Sequence, residues 1–120
     1  MRHPMPIVTI QALEPADPRT LDQLLGSVVR DLAAALGTEP GNVWANFSPM
    51  AAVQEGDSTE DYHPVVTILA QARPEDAMRK GLEAVAKAVS AGLELPLEKA
   101  WVHWVTVEPT RVFADGKVSK

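Results

Sequence analysis

The sequence contains no cysteine, which excludes a disulfide framework and any thiolate metal site. No apolar run approaches the roughly 20 residues of a membrane-spanning helix. The first residues lack an apolar stretch of signal-peptide length, so a cytoplasmic protein with no membrane partner is expected. No cluster of Lys or Arg stands out, and the formal net charge is −5. A basic surface for nucleic acid is therefore not expected. The seven glycines are scattered and none opens a helix, so there is no phosphate-cradling loop. No grouping of His with carboxylates has metal-ligand spacing, and neither a metal nor a cofactor is expected.

What is present is a chain of 120 residues, 46% hydrophobic. That is enough for one domain, residues 1–120, with a real core. The sequence also repeats itself. PIVTIQALEPADP at Pro6 returns as PVVTILAQARPED at Pro64, a shift of 58 residues. VWANF (Val43 to Phe47) returns as AWVHW (Ala100 to Trp104), a shift of 57. A helical pattern lies inside each pair, so the chain reads strand–helix–strand twice, with halves at about 6–49 and 64–107.

In the first half Asp17 can cap a helix that Pro18 begins. Leu21, Leu24, Leu25, Val28, Val29, Leu32 and Leu36 follow helical spacing, and Gly37 can close it. The second helix starts near Pro74, with Met78, Leu82, Val85, Val89 and Leu93 as its stripe. The strands are expected at 7–13, 42–48, 65–71 and 100–107. A helix joining two strands of one sheet makes them parallel. The expectation is an α+β fold: two tandem βαβ units in a four-stranded mixed sheet, with both helices on one face. Residues 49–63 read as an exposed loop. Asp115-Gly116 is a hairpin-type turn, so a short C-terminal hairpin or strand should follow.

One face of the sheet should carry Val8, Ile10, Ala12, Val66, Ile68 and Ala70, under the helices. The other carries Thr9, Gln11, Thr67, Leu69, Trp44, Asn46, Trp101 and His103. Two helices cover only one face. A face bearing two Trp calls for another subunit, so a homo-oligomer is expected.

The Met5-Pro6-Ile7-Val8-Thr9-Ile10 segment, the doubled βαβ unit, Arg73 at a strand-to-helix junction, and Phe113 before Asp115-Gly116 together resemble the tautomerase superfamily, over nearly the whole chain. The resemblance implies a homotrimer that isomerises small 2-oxo or enol carboxylic acids. In that family an amino-terminal proline is the general base and arginines hold substrate carboxylates. It would make Pro6 the catalytic residue. Arg73, Arg111, Phe113 and His63 would bind substrate: two cations, an apolar wall and a proton donor. A free α-amino group titrates near ~7.7–8.0, and an apolar site lowers that value toward neutrality. A proline nitrogen inside a chain is an amide and accepts no proton. Removal of Met5 would expose Pro6. A start at Met1 followed by bulky Arg2 would leave it blocked.

Pro6 can equally be a strand-opening proline, since Pro64 holds the same place in the second half. Arg73 is out of place beside a helix N-terminus unless it meets an anion. The first-half junction, Glu14-Pro15-Ala16-Asp17, has no arginine before Arg19. Trp44 stands where a relative has a second arginine. A catalytically silent trimeric binding or structural module, its amine covered by residues 1–5, is thus the alternative. In that case His63 or Arg73 would be the residues that matter. A ferredoxin-like βαββαβ domain shares the element order. His3 and His63, each before a proline, could approach one another.

Overall fold

The computed structural model describes residues 5–59 and 61–119. The expected position of His3, and any cover formed by residues 1–4, lie outside the described residues.

Strand β1 (Ile7–Leu13) leads into helix α1 (Pro18–Leu36) and then β2 (Trp44–Met50). Strand β3 (Val65–Ala70), helix α2 (Glu75–Leu93) and β4 (Trp101–Thr106) repeat the plan. The sheet order is β2-β1-β3-β4. β1 and β2 are parallel, as are β3 and β4, while β1 and β3 meet antiparallel at the centre. The expected α+β fold of two βαβ units is what forms, with its short C-terminal hairpin, β5 (Phe113–Ala114) and β6 (Lys117–Val118). In that hairpin Asp115 and Gly116 have φ values of 55° and 80°, the positive pair that a two-residue turn with matching twist demands.

Alternation along the strands sets the layers. Val8, Ile10, Ala12, Val66, Ile68 and Ala70 are buried, facing the helices. The helices answer with Leu24, Val28, Leu32 and Ala33 from α1 and Val85, Ala88 and Val89 from α2. Asp17 caps α1 by accepting a hydrogen bond from the Arg19 amide at 2.9 Å, and Gly37 closes it with φ 68°. The helices approach closely at Gly92, where an added Cβ would lie 2.6 Å from Leu24 Cδ1. β2 starts two residues later than expected because Pro40–Asn42 form a 3-10 turn first.

Among the described residues no helix or further strand lies over the other face of the sheet. The register sets three rows across it. Trp44, Ile7, Leu69 and Val105 form one, and Asn46, Thr9, Thr67 and His103 the next. Ser48, Gln11, Val65 and Trp101 form the third. Thr9 pairs with Thr67 at the centre, so the two halves are related by an approximate two-fold axis there. Trp44 and Trp101 are 52% and 50% exposed, a large apolar surface at opposite corners of a sheet with no layer over it.

Candidate functional site

Because β1 and β3 run antiparallel, Pro6 and Pro64 stand at opposite ends of the sheet. Both are fully buried. Each offers its carbonyl to the amide of the tryptophan that opens the neighbouring strand. Trp44 donates to Pro6 at 2.9 Å, and Trp101 donates to Pro64 at 3.3 Å. Each end therefore has the same frame: a proline, a tryptophan, and the loops that leave the other two strands.

At the Pro6 end those loops run from β3 to α2 and from β4 to the tail. The first carries Arg73. Arg73 is half-buried, whereas Arg19, Arg30, Arg79 and Arg111 are exposed. It makes no hydrogen bond or ion pair among the described residues. The nearest acid in sequence, Glu75, pairs with Arg79 at 3.5 Å instead. Helix α2 begins behind Pro74 with no side-chain cap, and its first turn holds Glu75 and Asp76, which suit the positive end of the helix dipole. An unpaired, partly desolvated guanidinium offers a planar fork of donors to a carboxylate. The second loop carries Arg111, in a 3-10 turn, and Phe113, 72% exposed on the hairpin. Phe113 and Val118 pair across the two strands and give the hairpin an apolar side.

At the Pro64 end the loops run from β1 to α1 and from β2 to β3. Here His63 precedes Pro64, and the antiparallel register puts it on the order of 20 Å from Pro6. Within one chain the topology therefore places Pro6 and Arg73 at the same end of the sheet, and His63 at the other. His63 is held by Glu55. The His63 amide donates to Glu55 Oε2 at 2.7 Å, and its ring Nδ1 lies 2.6 Å from Glu55 Oε1. These contacts, the amide first and the ring second, hold the Glu55 carboxyl below the usual carboxylate range, with Lys99 adding a smaller pull in the same direction. Val65 and Trp101 complete a depression of about 380 Å³ with Glu55 and His63. His103 stacks at a tilt against Trp101, ring centres 4.8 Å apart, and its Nε2 meets Thr67 Oγ1 at 2.9 Å.

The Glu55–His63 contact was not recognisable in the sequence, where residues 49–63 read only as a loop. Glu55 and Ser58 in fact bridge a minimal hairpin across Gly56-Asp57. Gly56 takes φ 59°, so the turn needs a glycine there. The shift from the Glu55–Ser58 bridge to the Ala114–Lys117 pair is 59 residues, so the repeat extends to a hairpin after each βαβ unit. The usable signal was Glu55-Gly56-Asp57-Ser58 standing in step with Ala114-Asp115-Gly116-Lys117. Among the described residues no group of His and carboxylates could hold a metal ion, and no helix is long and apolar enough to cross a membrane.

No protein-family model and no curated protein matches the sequence. Solved structures do match the fold. A fused 4-OT solved as an asymmetric trimer superposes with a TM-score of 0.88 at 15% identity, over 94% of this chain and 95% of that one. Macrophage migration inhibitory factor of Toxoplasma gondii gives 0.75 at 20% identity, over 93% and 98%. A member of the cis-3-chloroacrylic acid dehalogenase family gives 0.77 at 18% identity, over 96% and 84%. The chain has the tautomerase-superfamily fold in its fused, two-unit form, and the ferredoxin-like arrangement is set aside.

Proposed function

We propose that this chain is a tautomerase-superfamily protein of the cytoplasm, a single domain assembled as a homotrimer. It isomerises small 2-oxo or enol carboxylic acids when Pro6 carries a free amine. The observation that carries the reading is Arg73: half-buried, without a partner among the described residues, at the same end of the sheet as Pro6. Trimerisation would cover the Trp-bearing face, and fused 4-OT, which shares the fold, was solved as a trimer.

In this mechanism Arg73 holds the substrate carboxylate and so places the enol next to Pro6. The Pro6 nitrogen takes the enol O–H proton and returns one to carbon. Its burial disfavours the ammonium form and keeps the amine basic near neutral pH. Phe113 supplies an apolar wall, and Arg111 a second cation for a diacid. In a chain still joined through Met5 the nitrogen is an amide, and the same geometry binds acids without turning them over.

The experiment compares ketonisation of phenylenolpyruvate or 2-hydroxymuconate by the chain from Met1 and by the chain from Pro6. General-base catalysis by a positioned amine contributes about 10²–10⁴-fold, so the second form should exceed the first by that order. Equal, background rates in both would remove the proline mechanism.

A further inference from the structure

An arginine and an acid stand two positions apart at both helix starts, and their pairing differs. At α1, Asp17 and Arg19 pair with each other, Arg19 Nη2 lying 3.1 Å from Asp17 Oδ2. At α2, Arg73 and Glu75 have the same spacing and a longer acid arm, yet they do not pair. Glu75 opens the helix, and Arg79, one turn on, donates to its Oε1 at 3.5 Å. An acid four residues before a cation is the favoured order on a helix, and the positive helix end suits Glu75 as well. Asp76 shares this first turn. It has the shorter arm, and it makes no pair with Arg73 although no other described residue engages it. The competition for Arg73 therefore comes down to Glu75, and Arg79 decides it.

We infer that Arg79 is a positioning residue for acid binding. By engaging Glu75 it keeps that carboxylate from neutralising Arg73, and the half-buried guanidinium stays open to the carboxylate of a ligand. Arg79 itself touches no ligand. It and Glu75 are both exposed, so their pair adds little to stability. What the pair sets is which arginine Glu75 meets. Helix α2 packs against the face of the sheet opposite Trp44 and Trp101, so the pair stands clear of a trimer that covers the Trp-bearing face. The role rests on the reading of Arg73 as the carboxylate anchor, and it is independent of whether Pro6 is an amine or an amide.

The test uses the full chain from Met1, in its native assembly, with oxamate, a 2-oxo acid isostere that does not enolise. NMR follows binding and the Arg73 Nε–H resonance together. Arg79→Ala frees Glu75. The Arg73 resonance should then shift before any ligand is added, and oxamate should bind about two- to fivefold more weakly, the range of an exposed ion pair. Arg79→Lys keeps a cation one turn after Glu75 and should keep the original affinity. Adding Glu75→Gln to Arg79→Ala should restore both readouts. Adding Asp76→Asn instead restores the same net charge and leaves Glu75 in place, so binding should stay weak. In the chain beginning at Pro6, Arg79→Ala should raise KM for phenylenolpyruvate by the same factor and leave kcat unchanged. An unmoved Arg73 resonance in Arg79→Ala, unchanged affinity in that variant, or equal rescue by Asp76→Asn and Glu75→Gln would each overturn the role of Arg79 and leave Arg73 as the anchor. Failure of the anchor itself looks different: oxamate would leave the Arg73 resonance of the unsubstituted chain unmoved at every concentration, which removes both.

Discussion

At one end of the sheet Pro6 passes its carbonyl to Trp44; at the other Pro64 passes its carbonyl to Trp101. The backbones match, and the side chains set on them do not. The Pro6 end receives the β3–α2 loop, where Arg73 sits half-buried and, among the described residues, unpaired. The Pro64 end receives the β1–α1 loop instead. In step with Arg73 that loop has Pro15, and beyond it Asp17, which caps α1 and ties up Arg19 at 3.1 Å. The first junction satisfies its helix end and its arginine locally. The second leaves both open, Pro74 offering no side-chain cap. A duplicated scaffold has thus kept its frame while one copy closed its helix end and the other left a half-buried cation without a partner among the described residues.

The comparison can be broken most strongly at Arg73. In the chain beginning at Pro6, Arg73→Ala should lower kcat/KM for an enol acid by about 10–150-fold, the loss of a charged hydrogen bond of about 1.5–3 kcal/mol. Arg19→Ala, at the exposed Asp17 pair, should stay within about twofold. Steady-state kinetics on both variants, with folding checked by circular dichroism, reads the difference. Equal effects would mean that the junctions are not distinct.

A smaller effect belongs to the other end. Glu55 is depressed in the folded chain by the His63 amide and ring. Its contribution is therefore present above its unfolded value of about 4.3 and is lost as pH falls through the lower folded value. The His63 amide should stay protected from hydrogen exchange above about pH 4.5 and lose protection as pH falls through the folded titration. Glu55→Gln should flatten that dependence. The amides of Thr67 and Ile68, inside the sheet, should not follow it.

Much of this was legible in the chain itself. The helical stripes of α1 and α2, the Asp17–Pro18 start and Gly37 stop, the alternation in β1 and β3, and the Asp115-Gly116 turn all rest on local chemistry that survives any tertiary setting. The echo of Pro6 in Pro64 announced the doubled unit. Arg73 could be singled out because a cation before a helix N-terminus is unfavourable unless an anion meets it. What was not legible depends on chain closure. The start of β2 moved because Pro40–Asn42 turn before pairing begins. Glu55 could not be matched to His63, since the two stand eight positions apart in a polar loop and only the minimal hairpin at Glu55–Ser58 folds one back on the other. The distance between His63 and Pro6 follows from β1 and β3 being antiparallel, which the order of elements leaves open.

What should separate the two like frames is that acids go to the Arg73 end. It is tested most directly by titrating the chain with an unreactive 2-oxo acid while following the Arg73 Nε–H and the His63 ring by NMR. The Arg73 resonance should move saturably and the His63 ring should not. Movement at His63 alone, or no saturable movement at Arg73, would contradict it.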